Sequence, residues 1–310
     1  MAEKKKDIAT PEYAMVNGKV VRFADAKISL MANGLTFAVT VFEGLRAYWN
    51  LKDEQLYLFR MAEHIKRLHF SMRAVELALP PTLYDFESQV IEILKANNLR
   101  KDAYIRVQAY IDDWGEMMST GPVGTSVFCW HRPRVAAFQN GKHFVVSSWR
   151  RNAEDASPPR IKSTANYLNG RLAGLEALRS GAGGAIMLNR DGTVSEGPAG
   201  CIFIVRDGTL ITPPVATGIL ESITRDTLIT LALDNNIDVV ERAIGRTELY
   251  LLDEGFYCGT AQEIVPILSV DNKAINDENP GVTTRKLQVL YDRVVRCQEP
   301  KHKDWTRAVF

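Results

Sequence analysis

Cysteine is scarce in this sequence. Its 310 residues hold four, Cys129, Cys201, Cys258 and Cys297, widely scattered and without a CxxC pair. Neither a disulfide framework nor a cysteine metal cage is signalled, and reduced thiols are expected. Histidine is almost as rare, at five residues, and no HExxH occurs. His64 and His69 fall on one predicted helix but lie about 140° apart around a 3.6-residue spiral, so they cannot face one metal ion. No apolar run reaches the roughly 18 residues that span a bilayer. The start, Met1-Ala2-Glu3-Lys4-Lys5-Lys6, has no apolar stretch behind it, so neither a secretory signal nor an anchor is expected and a cytoplasmic location is. Charge of one sign is absent too, with 38 Lys and Arg against 37 Asp and Glu for a net charge of +1. That balance argues against a nucleic-acid or acidic-polymer partner and for a small-molecule substrate. GxxxxGK[ST] and GxSxG are missing, which removes the nucleotide P-loop and the serine-hydrolase elbow. Gly181-Ala182-Gly183-Gly184 resembles a dinucleotide loop only briefly, because Ile186 stands at the last glycine position and a strand follows; it reads as a helix stop.

What is present is enough apolar material for two cores. The length exceeds the usual single domain, and 46% of residues are apolar, so two domains are expected. Asn17-Gly18 between β-branched flanks predicts a hairpin over Ala14 to Val21. Strands are predicted near Gly44 to Trp49, Gln55 to Phe59, Ala103 to Ile111 and Thr125 to Trp130, and helical spacing covers Arg60 to Val75 and Asp85 to Asn97. The segment from Pro133 to Lys142 lacks periodicity, so it is assigned as linker, with a small domain over 1–132 and a large one over 143–310. In the latter, His143 to Ser148 and Gly184 to Leu188 read as strands, with helices over Ala165 to Arg179, Ser222 to Asp234 and Thr284 to Arg296. Asp191-Gly192 and Asp207-Gly208 supply hairpin turns. Strand-rich segments with helices packed on them make the fold class α+β, with barrel-like mixed sheets, in preference to a doubly wound fold.

The chemistry concentrates around Lys162. Pyridoxal phosphate requires a lysine for the imine, an anion near the pyridine nitrogen, a donor at the ring phenolate and a phosphate cup. Lys162 lies in a polar loop that opens a helix, and Tyr167 is placed at the helix start where its hydroxyl could turn toward the ring oxygen. Glu196 follows a hairpin and precedes an apolar strand, a position from which a carboxylate could keep the pyridine nitrogen protonated. Ser222 is a plausible N-cap, and the first-turn amides near Ile223 and Thr224 attract a dianion. Gly259-Thr260-Ala261 offers a second small-residue turn for an anion, and Arg60, between a strand and a helix, could fork onto phosphate oxygens.

Taken in order, Val41-Phe42-Glu43-Gly44-Leu45-Arg46, Phe59-Arg60, Glu63-His64, Arg67-Leu68-His69, Ala103-Tyr104-Ile105-Arg106, Asn166-Tyr167, Ser195-Glu196-Gly197, Ile223-Thr224-Arg225-Asp226 and Gly259-Thr260-Ala261-Gln262-Glu263-Ile264 resemble the fold-type IV pyridoxal-phosphate enzymes, most closely branched-chain amino acid aminotransferases. The resemblance runs from about Tyr13 to Arg296. It implies a small α/β domain beside a larger pseudo-barrel domain and a two-stage amino exchange between a small-molecule amino donor and a keto acid acceptor, 2-oxoglutarate. It further implies Lys162 as the catalytic lysine, Glu196 on the pyridine nitrogen, Tyr167 on the ring oxygen, Leu220 against the ring face, and Arg60, Ile223, Thr224 and Thr260 on the phosphate. Phe42, Gly44, Arg46, Tyr104 and Arg106 would wall the substrate pocket, the backbone at Thr260 and Ala261 would receive the α-carboxylate, and a partner subunit would close the pocket, making the protein a homodimer or a higher homo-oligomer. Phe37, where the family has tyrosine, and the Asp112 to Met118 loop depart from the pattern, as does the wall around Trp130 and Pro133. These departures keep open an (R)-selective amine or D-amino acid transaminase using pyruvate; a lyase acting on aminodeoxychorismate, against which the intact Phe42 to Arg46 segment speaks, and a cofactor-free binding protein of the same fold are the other readings.

Overall fold

The computed structural model describes residues 10–78 and 85–310; the lysine-rich start, Met1 to Lys6, lies outside them. Two compact units divide the chain, Met1–Pro133 with Val294–Phe310 and Arg134–Arg293. In the first, β1 (Tyr13–Val16) and β2 (Lys19–Arg22) pair with Val16 opposite Lys19. The two-residue turn between them holds Asn17 at φ 50° and Gly18 at φ 73°, the left-handed pair whose twist matches that of the strands. The next elements are α1 (Asn33–Thr36), β3 (Thr40–Asn50), β4 (Gln55–Phe59), α2 (Met61–Ala74), α3 (Phe86–Ala96), β5 (Ala103–Ile111) and β6 (Val123–His131).

β3, β5 and β6 are antiparallel neighbours, with Gly44 opposite Arg106, Arg46 opposite Tyr104, and Tyr104 opposite Trp130. Opposite residues share a face. One face therefore carries Phe42, Gly44, Arg46, Tyr104, Arg106 and Trp130, and the other carries Val41, Glu43, Leu45, Ile105 and Val107. The second face meets α2, because fully buried Glu43 accepts from Arg67 Nε at 2.6 Å and contacts His64 Nδ1 at 2.7 Å. Burial alone would push the Glu43 carboxyl up, but the Arg67 and His64 charges outweigh it and hold the group well below the usual carboxylate range.

The second unit contains α4 (Ala137–Asn140), β7 (Lys142–Arg150), α5 (Asn166–Arg179), β8 (Gly184–Leu188), β9 (Cys201–Arg206), β10 (Thr209–Thr212), α6 (Ile223–Asp234), β11 (Val239–Glu241), β12 (Glu254–Gly259), β13 (Glu263–Val270), β14 (Lys273–Ala274) and all but the last two residues of α7 (Val282–Val295). Its eight-stranded sheet has the order β11-β10-β9-β12-β13-β7-β8, with β14 on β13. β7 is parallel to both β8 and β13, and β10 to β11, while the other pairs are antiparallel. Ala173 and Ala177 of α5 pack on Ala185 and Met187 of β8; such small side chains let the helix lie close to the sheet. A larger core of Ile186, Ile202, Ile204, Ile211, Val265 and Ile267, among others, fills another part of this unit. Gly181, at φ 77° just beyond α5, is the helix stop read from sequence.

By contact the division falls at Pro133, and residues 294–310, which the sequence reading assigned to the large domain, group with the first unit. There β15 (Thr306–Ala308) pairs with β4, completing a seven-stranded sheet of order β15-β4-β3-β5-β6-β1-β2. The backbone N–H of Arg60 donates to the Trp305 carbonyl at 2.7 Å. No helix among the described residues is long and apolar enough to cross a membrane.

Candidate active site

Lys162 sits in the loop that leads into α5, and Asn166, the first residue of the helix, pins that loop. Its buried side-chain amide donates to the carbonyls of Pro158 at 2.9 Å and Ile161 at 3.0 Å, while its carbonyl accepts from Asn152 Nδ2 at 3.0 Å and from Ser157 Oγ. Lys162 Nζ then lies 2.9 Å from Tyr167 Oη. Both side chains are half-buried, so the amine is sheltered yet approachable.

Glu196 is brought to the same place by a segment that pairs with β8. Residues 193–196 run back along that strand, with Ser195 N–H donating to the Met187 carbonyl at 3.0 Å and Met187 N–H to the Glu196 carbonyl at 2.9 Å. The Glu196 side chain is 4% exposed, and one of its oxygens, Oε1, accepts from Arg151 Nε at 2.9 Å and Nη2 at 2.8 Å. Cys201 Sγ approaches the other oxygen at 3.9 Å, and the Leu220 backbone N–H also hydrogen-bonds the carboxylate. Burial pushes the Glu196 carboxyl above its ordinary value, opposed by the charges of Arg151 and Lys162. Lys162, Tyr167, Glu196 and Leu220 are thus clustered in one unit.

Glycine at two points permits this clustering. A Cβ at Gly170 of α5 would run into the Pro198 carbonyl, and one at Gly197 into the Tyr257 ring. Tyr257 Oη in turn accepts from Ala199 N–H at 3.0 Å, so the turn after Glu196 is clamped between α5 and β12.

α6 supplies an amide-rich terminus. Ser222 caps it, its Oγ accepting from Arg225 N–H at 3.2 Å, and Ile223 and Thr224 are the buried first-turn residues whose amides precede any intrahelical acceptor. Thr260 and Ala261 occupy the tight β12–β13 turn, closed by Gln262 N–H on the Gly259 carbonyl at 3.1 Å. A Cβ on Gly259 would stand 3.3 Å from the Ala199 carbonyl, so this turn abuts the Glu196–Gly200 segment.

The other sequence-predicted residues lie in the first unit. Arg60, left-handed at φ 48°, donates to Glu63 Oε1 at 2.7 Å and lies over the Trp305 ring at 5.0 Å. On the shared sheet face, the Tyr104 and Trp130 rings are 4.8 Å apart, the Arg106 guanidinium lies 4.1 Å above the Phe42 ring, and the Tyr104 phenol covers Gly44 so closely that no side chain fits there. Arg46, also on that face, is fully buried and donates to the Arg132 carbonyl at 2.8 Å. Phe37 is not part of this face; it ends α1 and is 49% exposed. Sequence reasoning missed Arg151 as a site residue, since nothing local announces a partner 45 positions away.

The chain matches the model of the family "Amino-transferase class IV" over residues 40–270. It is 38% identical over 303 residues to the "Probable branched-chain-amino-acid aminotransferase" of Aquifex aeolicus (strain VF5), spanning 96% of this chain and 97% of that protein. Identity to the branched-chain-amino-acid aminotransferase of Escherichia coli (strain K12) is 37% over 287 residues, 90% of this chain and 92% of that one. Among solved structures, the branched-chain amino acid aminotransferase of Thermobaculum terrenum in its PLP form superposes with a TM-score of 0.90 at 38% identity, covering 97% of this chain and 99% of that one.

Proposed function

The chain belongs to the amino-transferase class IV family, and on that premise we propose that it exchanges the amino group of branched-chain L-amino acids with 2-oxoglutarate, as a homodimer, with Lys162 as catalytic residue. It is an aminotransferase of fold type IV that uses pyridoxal phosphate. The observation that carries the site assignment is the sheltered Lys162 amine, 2.9 Å from the Tyr167 phenol, in the same cluster as a buried carboxylate.

These residues fit the cofactor. A carboxylate buried with one oxygen committed to Arg151 suits a protonated ring nitrogen, since a second positive partner offsets its desolvation. When bound, the cofactor serves as an electron sink for negative charge at the substrate α-carbon. Glu196 would hold the ring nitrogen protonated, and Tyr167 would donate to the ring oxygen. The Lys162 amine would take the proton from the substrate α-carbon and return it to the cofactor C4′. The first-turn amides of α6 at Ile223 and Thr224, with Thr260 and Arg60, would hold the phosphate, and Leu220 would pack on the ring. The Thr260–Ala261 backbone would receive the substrate carboxylate, and Phe42, Gly44, Arg46, Tyr104, Arg106 and Trp130, with Phe37, would select its side chain.

The (R)-amine, D-amino acid, lyase and cofactor-free readings are not favoured, because the named matches are branched-chain aminotransferases. Homodimer formation is supported by two adjoining segments that expose Leu30, Met31, Leu35, Trp114, Met117 and Met118. Asn33 ties them together, its N–H donating to the Asp113 carbonyl at 3.0 Å and its Nδ2 to the Glu116 carbonyl at 2.9 Å. Covering such a patch is a common reason for association.

Lys162→Ala should abolish the bound cofactor's absorption at about 400–430 nm and lower turnover of L-leucine by about 10²–10⁴-fold or more. Retention of both would end the assignment. Reaction of the intact enzyme with (R)-1-phenylethylamine or D-alanine but not L-leucine would overturn the substrate class.

A further inference from the structure

We propose that Arg151 is a positioning residue of this active site: its guanidinium grips one oxygen of Glu196 so that the remaining edge of the carboxylate is presented to the cofactor's pyridine nitrogen. The proposal rests on the reading of Glu196 as the partner of that nitrogen. Its first support is the pattern of contact. Arg151 Nε and Nη2 both reach the same oxygen, Oε1, at 2.9 and 2.8 Å. With both guanidinium donors on Oε1, Oε2 receives neither of them; a thiol approaches it at 3.9 Å, and the carboxylate also accepts from the Leu220 N–H.

The second support is that the guanidinium is itself held. Its side chain is 9% exposed, Nη1 lies 3.4 Å from Asn169 Oδ1, and the Arg151 backbone N–H donates to the Leu188 carbonyl at 2.9 Å. The next residue, Asn152, donates to Asn166, which pins the Lys162 loop. One short strap therefore reaches both the proposed acid–base lysine and the proposed ring-nitrogen partner. The third support is electrostatic: burial disfavours ionised Glu196, and the Arg151 charge opposes that tendency.

The test uses the wild-type holoenzyme, Arg151→Ala, Arg151→Lys, Glu196→Gln and the double variant Arg151→Ala/Glu196→Gln, each loaded with pyridoxal phosphate carrying ¹⁵N in the ring. Three quantities are read: the ring-nitrogen chemical shift against pH, the cofactor dissociation constant, and kcat and KM for L-leucine. Arg151→Ala should lower the pH at which the ring nitrogen loses its proton, weaken cofactor binding by about 10–100-fold, the range that outer partners of metal ligands show, and reduce kcat more than KM. Arg151→Lys keeps the cation but not the two-donor grip and should fall between. In the Glu196→Gln background, removal of Arg151 should change the ring-nitrogen titration little, because the group it acts through is gone. Should Arg151→Ala not fold, Arg151→Lys and the double variant, which leaves no unpaired buried charge, carry the same comparison. If Glu196→Gln moves the ring-nitrogen titration and the Arg151 variants leave it at the wild-type value, the role of Arg151 is overturned while the reading of Glu196 stands. If Glu196→Gln leaves it unmoved, the reading of Glu196 fails and the role of Arg151 fails with it. Equal losses from Arg151→Ala with and without Glu196 would also overturn the proposal.

Discussion

Replacing Gly170 with alanine drives a methyl group into the Pro198 carbonyl, with the Pro198 C and Cα atoms at 3.0 and 3.1 Å from the new Cβ. One turn further along α5, the same change at Gly174 meets nothing within 4 Å. The two substitutions share their chemistry and their helix, so their difference isolates the contact. Alanine in a helix interior ordinarily gains about 0.5–1 kcal/mol over glycine, and Gly174→Ala should show that gain. At Gly170 an overpacking penalty of about 1–3 kcal/mol opposes it, because the obstacle is backbone and cannot swing aside. The net expectation runs from break-even to about 2.5 kcal/mol destabilised, a gap of about 1–3 kcal/mol between the variants. Equilibrium urea unfolding of the cofactor-free proteins measures the gap, provided the slopes agree. Because Pro198 follows Glu196 closely and Gly170 follows Tyr167, displacement of the contact should also weaken cofactor binding in Gly170→Ala while leaving it unchanged in Gly174→Ala. Equal midpoints and equal cofactor affinities would refute the idea that this close approach sets the spacing between the Lys162–Tyr167 pair and Glu196.

Glu43 offers a test by pH. Its folded-state carboxyl is held below its ordinary value of 4.5, so its contribution is present above that pH and fades as the pH falls toward the folded value; Glu43→Gln should be less stable than wild type at pH 7, and urea midpoints should converge below about pH 4.5. Ser222→Ala removes the oxygen that accepts from Arg225 N–H at 3.2 Å, and should cost about 0.5–2 kcal/mol in urea unfolding; an unchanged midpoint would mean that the cap carries no weight.

The parts legible in the sequence are those decided over short distances. Asn17-Gly18 can form one kind of turn, and the structure has it. The apolar spacing of α2 and α3 and the alternation in β5 each speak for themselves, and Lys162 and Tyr167 are near neighbours at one helix start. β13 was silent because Pro266 interrupts an otherwise readable strand, and it is tolerated where Phe256 lies opposite and the parallel pairing with β7 begins only at Ile267. β11 is only three largely exposed residues. The grip of Arg151 on Glu196 depends on two segments meeting through the fold, which no local pattern encodes. The grouping of residues 294–310 with the first unit is hidden for the same reason, since Thr306 faces Phe59.

That last pairing bears on how the chain matures as it is made. β4 has β3 on one side and β15 on the other, and residues 306–308 leave the ribosome only after the whole second unit has been synthesised. Until then β4 is a bare edge, open to a wrong strand, and Arg60 lacks both the Trp305 carbonyl that accepts its N–H and the ring over which its guanidinium lies. The first unit to emerge is therefore the last to be finished.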